Sequence, residues 1–451
     1  MKIVMIGGGG ACIVCANTLR VLGSKAKIDI YTRRDQTAYT PCEQPFFLRD
    51  KLTLKDMFYA NPAWFERKEI GLHTEVTVEH IDREKKAIGV NGEEIPYDIL
   101  VINTGARNKM VDIPGLHKDK VHYLSTELKY AERLAPIIVM GKRAAVIGGG
   151  VIGLEMADTL IMKGYSSVSL IASSGSLLSR QLDPDMGEKL TPLAKKAGLF
   201  LHLNTSVTGA QNNKTAVRLF LSTEETVETD WVFVAKGIIP ESQLAKKAGL
   251  KIGKTGGIEV NKHLQTSDPS IYAAGDCIEG WYMLNGKKII TALATHSNRS
   301  GRTIGRNIYL GNKISFLGTL NPFGAEIFGA TVASAGITER EASKEGLNVV
   351  SVVRKGITRK KSFNGEDFWV KLIADPDKQT LLGIQLIGPR EVSRICEKVI
   401  LMIGEEIPLG KISQYETIFS PPLSTPYDLI TNGVDILIAD LLKEGGTVKW
   451  G

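Results

Sequence analysis

One cysteine set among prolines and aromatic rings, in Ala38-Tyr-Thr-Pro-Cys-Glu-Gln-Pro-Phe-Phe47, has the residue types for redox chemistry at sulfur. Arg34, Arg49 and Lys51 lie close to Cys42 in sequence, and positive charge favours the thiolate, the form that attacks an S–S bond. Pro41 and Pro45 are expected to hinder a regular helix start around it. A cysteine beside aromatics is also an ordinary packing residue. Its role therefore depends on the elements that position it.

Two of those elements are alike. Lys2–Ile6 is a short apolar run of strand character, followed by Gly7-Gly-Gly-Gly-Ala-Cys12 and a helical pattern over 13–22. Gly7 permits the tight turn, and Gly9 lets a pyrophosphate approach backbone N–H groups at the positive end of a helix. The third glycine of such a turn is replaced by Cys12, with Ala16 one turn later partly restoring the small face. The next strand, Lys27–Tyr31, ends at Thr32 where an acid for a ribose hydroxyl is expected, and Arg33 and Arg34 follow.

The signature then recurs as Arg143-Ala-Ala-Val-Ile-Gly-Gly-Gly-Val-Ile-Gly153, with Gly148, Gly150 and Gly153 in place and Val151 and Ile152 opening the helix. Two dinucleotide folds in one chain are a far more specific signal than one. The strand Ser167–Ile171 runs into Ala172-Ser173-Ser174, offering neither an acid for the NAD 2′-hydroxyl nor an arginine for the NADP phosphate. Serine hydroxyls suit either form, so NADH is expected with NADPH tolerated.

Tyr97–Ala106 reads as an apolar strand ending in a small-residue turn, and Asp230–Gly237 is its counterpart after the second nucleotide fold, each leading back across a nucleotide domain. Thr266–Asp276 is a buried-strand pattern that brings a carboxylate, Asp276, to a strand end where it can bind a polyol hydroxyl. A helix is expected over 292–308. After Thr319 the character changes to alternating strands (331–334, 368–373, 380–387) with helices near 339–345, 392–403 and 427–442, an α+β domain without a glycine turn.

Composition narrows the class. At 451 residues, 43% hydrophobic and 23% charged, the chain suits about three domains at roughly 100–200 residues each. No stretch approaches the ~18 apolar residues of a membrane helix, and Met1 enters a strand directly, leaving no room for a secretory leader. A cytoplasmic protein without membrane contact is expected. The net charge of +7 is scattered, which disfavours nucleic acid and suits small acidic molecules. Five cysteines (Cys12, Cys15, Cys42, Cys277, Cys396) form no disulfide framework; Cys12 and Cys15 are expected to pack inside a helix, and no metal is expected.

Together these residues resemble the pyridine nucleotide–disulfide oxidoreductases, and among them the branch with one active-site cysteine: coenzyme A disulfide reductases, persulfide reductases, NADH peroxidases and NADH oxidases. The likeness runs from Met1 to about Asp440, carried by Cys42, Thr266–Asp276, Val332–Glu339 and Ser420–Ser424. It implies an α/β fold of two Rossmann-like domains plus a C-terminal α+β dimerisation domain. FAD would occupy 1–112 with 254–320, NAD(P)H would occupy 113–253, and 321–451 would form a homodimer. The resemblance further implies FAD on Gly7, Gly9 and Gly10, its ribose near Thr32 and Arg33, and its ribityl chain on Asp276. Thr104, Gly105, Gly237 and Ala294 are expected as further cofactor contacts, with Ser173 at the nicotinamide nucleotide and Glu155 near the nicotinamide. Arg20, Tyr39, Arg67, Lys68 and Phe419 are expected to meet substrate, coenzyme A being that substrate or a bound ligand.

Relatives that reduce peroxide or oxygen carry a histidine where Gly10 stands, so sulfur-directed chemistry is favoured. The coenzyme A disulfide reductases use two tyrosines of the partner chain, replaced here by Ser362-Phe363 and Phe419. Persulfide and polysulfide depend less on such acids, because hydrosulfide leaves readily. The chain ends at Gly451 without a second-cysteine sulfurtransferase domain, so a sulfur donor is expected to diffuse in. The expected activity is NAD(P)H-dependent reduction of coenzyme A persulfide, coenzyme A disulfide or polysulfide through Cys42. Alternatives are an NADH oxidase of the same branch, or a reductase of a small acidic redox protein such as rubredoxin, with Cys42 a packing residue.

Overall fold

The computed structural model of the chain describes residues 1–443 and 445–450. They gather into two compact units: one of Met1–Met110, Ser125–Ile137 and Gly237–Thr319, the other of Val111–Leu124, Ile138–Lys236 and the residues from Leu320 on.

In the first unit a five-stranded parallel sheet has the order Ile271–Ala273, Ile99–Ile102, Lys2–Ile6, Lys27–Tyr31, Ile70–His73. Past Lys2 the central strand is apolar because both its faces are covered; Ile3, Val4 and Met5 have no exposed surface. On the sheet the helices Gly10–Val21 and Ala294–Leu310 lie against each other. A Cβ on Gly301 would sit 2.2 Å from the Ala11 carbonyl oxygen, and one on Gly305 would sit 2.9 Å from that of Cys15. Backbone therefore meets backbone, and only small residues allow it. Cys12 and Cys15 are fully buried on the first of these helices, and burial pushes both thiols well above their ordinary pKa. They are packing residues, as their helical position implies.

The second unit repeats the parallel arrangement in the order Leu199–His202, Ser167–Ile171, Arg143–Ile147, Trp231–Val234, Val121–Tyr123. It also holds an antiparallel sheet in the order Phe323–Ile327, Ala330–Gly336, Thr380–Gly388, Asp367–Asp375, Val350–Ile357. The helices Val392–Gly404 and Leu429–Lys443 pack on that sheet. Of the two edge strands, Phe323–Ile327 alternates, with Gly324 and Glu326 exposed on either side of Ala325, but is short and partly built of small residues, whereas in Val350–Ile357 the adjacent exposed Arg354 and Lys355 break the alternation.

A buried charge joins the second nucleotide fold to this antiparallel sheet. Lys371, on the strand Asp367–Asp375, is only 1% exposed, and its Nζ lies 3.4 Å from Asp183 and 2.9 Å from Asp185 and also binds Glu339. Asp183 is itself buried. It accepts from Gln385 Nε2 at 2.6 Å and from the backbone N–H groups of Glu339 and Arg340. Burial opposes the ammonium, but the bonds to Glu339 and Asp185 more than offset it and the Lys371 pKa is raised. Its contribution is therefore fully present below the ordinary lysine value and fades only as pH climbs past the folded one. Lys371→Met leaves Asp183 buried without a cation and is expected to cost about 3–5 kcal/mol in urea unfolding. Adding Asp183→Asn is expected to recover part of that loss; an unchanged unfolding midpoint in the single variant would refute the role of the cluster.

Candidate active site

Each glycine turn is shaped by a carbonyl that crosses it. Gly7 has φ 108°, and a Cβ there would lie 2.0 Å from the Asn103 carbonyl oxygen; Gly148 has φ 129°, with the Ala235 oxygen 2.3 Å away. No side chain fits at either place. Gly9 and Gly150 are the N-caps of the helices Gly10–Val21 and Val151–Met162, and neither helix start is capped by a side chain. Their first N–H groups are thus left to an outside acceptor. A Cβ on Gly150 would meet nothing within 4 Å, while Gly153 lies so close to the Gly148 carbonyl that a Cβ would sit 1.9 Å from it. Val151 and Ile152 open the helix, with Ile152 exposed, and Glu155 lies half-buried one turn on. Ser173 is exposed just beyond the strand Ser167–Ile171.

Around the first turn the residues fit a dinucleotide. The Asn103 side-chain amide is buried at 5% exposure, and its Nδ2 has no hydrogen-bond partner. Asp276, on the 3-10 turn Gly275–Cys277, is an acid whose burial, partly offset by Arg34, raises its pKa to about 6. Such a carboxyl is suited to a neutral hydroxyl partner. Thr32 is buried, and its Oγ1 accepts from the Arg34 N–H at 3.3 Å. A cavity of about 140 Å³ lies at this strand end, lined by Arg33, Arg34, Gln36, Tyr39, Glu127 and Lys129 among others. Arg33 pairs with Glu127 at 3.7 Å and Lys129 with Asp35 at 3.2 Å. Gly10 faces Asn298, whose Oδ1 is 2.8 Å from where a Cβ would be. Thr104 donates to the Glu241 carbonyl, Gly105 accepts from the Glu241 N–H at 2.9 Å, and Gly237 accepts from the Lys109 N–H at 2.9 Å. Ala294 is exposed as the first residue of its helix, two residues later than expected from the sequence.

Cys42 lies in the same unit. The chain takes a left-handed step at Ala38 (φ 61°), buries Tyr39 against Phe58, and then exposes Cys42 on the 3-10 turn Pro41–Glu43. Pro41 and Pro45 do not obstruct this; each occupies the first turn of its helix, Pro41–Glu43 or Gln44–Leu48, where proline has no N–H to lose. That corrects the expectation that they hinder a helix start. Of the cations near in sequence, Arg34 binds the Tyr39 hydroxyl and Thr126, each at 3.0 Å, and Arg49 stacks on Phe46. Glu43, next to Cys42 in the chain, has one carboxyl oxygen buried without a partner, and burial and then Asp56 raise its pKa. A carboxyl that keeps its proton to higher pH is one chain position from the thiol.

Among the expected substrate contacts, Arg20 and Lys68 come together. Arg20 donates to the Lys68 carbonyl at 2.7 Å, to Glu69 at 2.8 Å and to Ser24 at 2.9 Å, so its guanidinium ties the helix Gly10–Val21 to the end of the helix Pro62–Arg67. Arg67 is exposed beside that tie. The Tyr39 hydroxyl donates to the Thr126 carbonyl at 2.7 Å and accepts from Arg34, so both its functions are engaged. Phe419 belongs to the second unit, in a stretch with Ile418, Leu423 and Tyr427 that exposes 50–82% of each side chain. Asn103 and Glu43 were not foreseen. Asparagine before Thr104-Gly105 and glutamate after the cysteine were the available signals.

No helix among the described residues is long and apolar enough to cross a membrane, and no cluster of three or more potential metal ligands occurs among them. Comparison with known proteins then gives the relationship. Residues 1–298 match the pyridine nucleotide-disulphide oxidoreductase family, and residues 326–425 match that family's dimerisation domain. The chain is 30% identical to an NADH oxidase of Methanocaldococcus jannaschii, over 98% of this chain and 99% of the relative. It is 29% identical to an NAD(P)H coenzyme A polysulfide/persulfide reductase of Pyrococcus horikoshii, over 98% of each. Its fold superimposes on an NAD-dependent persulfide reductase from A. fulgidus with a TM-score of 0.92 at 30% identity, covering 99% of this chain and 84% of the other. The chain is an enzyme of the pyridine nucleotide-disulphide oxidoreductase family, an NAD(P)H oxidoreductase of the branch that contains the coenzyme A persulfide reductases and the NADH oxidases.

Proposed function

We propose that the protein is a homodimeric, FAD-dependent reductase that uses NADH or NADPH to cleave the S–S bond of coenzyme A persulfide, coenzyme A disulfide or polysulfide at Cys42. One observation carries this reading: Cys42 is the exposed cysteine, in the unit that holds the first glycine turn, whereas the other four are buried. Residues 1–112 with 254–320 would hold FAD, 113–253 the nicotinamide nucleotide, and 321–451 the dimer contact. The exposed apolar side chains of Ile418, Phe419, Leu423 and Tyr427 support such a contact, since patches of this kind mark interfaces.

Bound FAD supplies a carrier that takes reducing equivalents from the nicotinamide and hands an electron pair to sulfur, which no side chain does. The chain's own groups would do the rest. N–H groups of the turn 7–10 would meet the pyrophosphate, Asp276 would meet a hydroxyl of the polyol, and Thr32 and Arg33 would serve the ribose end, with Thr104, Gly105 and Ala294 alongside. Gly148, Gly150, Val151, Ile152, Gly153, Glu155, Ser173 and Gly237 would serve the nicotinamide nucleotide. The Cys42 thiolate attacks one sulfur of the substrate: a new S–S bond forms, the old one breaks, and the other half leaves as thiolate or hydrosulfide. Arg67 would meet the coenzyme A phosphates, Arg20 and Lys68 would fix the backbone beside it, and Tyr39 and Phe419 would border the substrate.

Cys42→Ser is expected to keep flavin reduction by NADH while thiol or sulfide release falls at least a hundredfold; stopped-flow absorbance and thiol titration separate the two, and unchanged release would remove Cys42 from the reaction. Arg67→Ala is expected to raise KM for coenzyme A persulfide severalfold with kcat and polysulfide turnover kept, which steady-state kinetics on both substrates checks. The relative named NADH oxidase supports a second reading, in which oxygen is the acceptor. Oxygen uptake faster than persulfide turnover in the same preparation would select it.

A further inference from the structure

Asn103 stands at one of the places where the first nucleotide turn differs from the second, Ala235 being its counterpart. It follows the strand Ile99–Ile102, its N–H donates to the Ile6 carbonyl at 2.8 Å, and its own carbonyl covers Gly7. With the backbone held on both sides, the side chain has little choice of direction. It is 95% buried, its Nδ2 lies 2.8 Å from where a Cβ on Gly9 would be, and its Oδ1 lies 2.6 Å from the corresponding point on Gly275. The amide thus spans the two glycine-bearing turns of the first unit, and its Nδ2 has no partner. The Cys12 thiol beside it is kept protonated by burial and offers a weak acceptor at best. An unmet buried donor is costly to a folded chain.

The equivalent position in the second nucleotide fold is Ala235, whose carbonyl covers Gly148 as that of Asn103 covers Gly7. A methyl group stands there in place of an amide. The extra donor therefore belongs to the first site alone, although neither second strand ends in an acid: Thr32 follows one and Ala172 the other.

We propose that Asn103 is a binding residue for the pyrophosphate of the resident dinucleotide. Its Nδ2 donates a hydrogen bond to a phosphate oxygen beside the N-terminus of the helix Gly10–Val21, a contact for which the second site has no counterpart at Ala235. This rests on the reading that FAD occupies the first site.

The test uses the full-length protein freed of flavin and titrated with FAD, followed by flavin fluorescence, with the thermal midpoint of the flavin-free protein measured in parallel. Asn103→Leu keeps the size and removes the donor; Asn103→Asp keeps the shape and adds a negative charge. The leucine variant is expected to bind FAD at least tenfold more weakly, as for a lost hydrogen bond to a charged group. Its flavin-free midpoint should be unchanged or higher, because an unmet donor has gone, and its affinity for NADH should be unchanged. The aspartate variant is expected to bind FAD more weakly still. FAD affinity within twofold of the parent in either variant overturns the inference, as does a flavin-free midpoint that falls in step with affinity, the behaviour of a merely structural residue. Should the leucine variant not fold, Asn103→Ser takes its place under the same criteria. A parent protein that binds no FAD would overturn the cofactor reading itself, and this inference with it.

Discussion

A carbonyl oxygen occupies the place where a side chain would begin on the first glycine of each nucleotide turn. Asn103 does this over Gly7 and Ala235 over Gly148. The contact forces the chain to turn with positive φ at once after the central strand, so the next helix starts directly above the sheet edge with its free N–H groups facing outward. A methyl group at either glycine would push the crossing strand away and take the helix start with it. The place where each helix starts, and the open ground in front of its first N–H groups, depend on this contact.

Much of that was readable in the residues. Apolar runs with glycine turns behind them define parallel strands wherever both faces are covered, and Lys27–Tyr31 and Ser167–Ile171 have the expected ends. Cys12 and Cys15 read as packing residues because a helix one turn past a glycine cradle must press on its sheet. The edge strands Phe323–Ile327 and Val350–Ile357 are different. Phe323–Ile327 is only five residues with Gly324 and Ala325 among them, too weak an alternation to stand out, and in Val350–Ile357 the neighbouring charges of Arg354 and Lys355 break the period of two.

Residues whose role depends on distant partners were the least legible. Lys371 appears in sequence as the outward-facing letter of an amphipathic strand, yet it is buried under three carboxylates supplied by two other segments. Arg20 looks like a solvated helix charge or an anion ligand, and the structure gives it three carbonyl partners. Asn103 is an unremarkable letter before a small-residue turn until Gly9 and Gly275 are seen on either side of its amide. Local patterns predict backbone well because backbone is decided locally. They predict a buried polar side chain poorly because its partners arrive from elsewhere in the chain.

The Lys371 cluster also separates two meanings of the word domain. By composition the chain changes character near residue 320, and residue pattern alone would place a cut there. Yet Asp183, which begins the helix Pro184–Lys196 of the second nucleotide fold, is held by Lys371 and Gln385 from beyond that point. Severed at the visible seam, the upstream piece would keep a carboxylate shaped for company it no longer has. The second nucleotide fold and the sheet that follows it are thus tied across the compositional seam by a buried cation that neither segment's residue pattern announces.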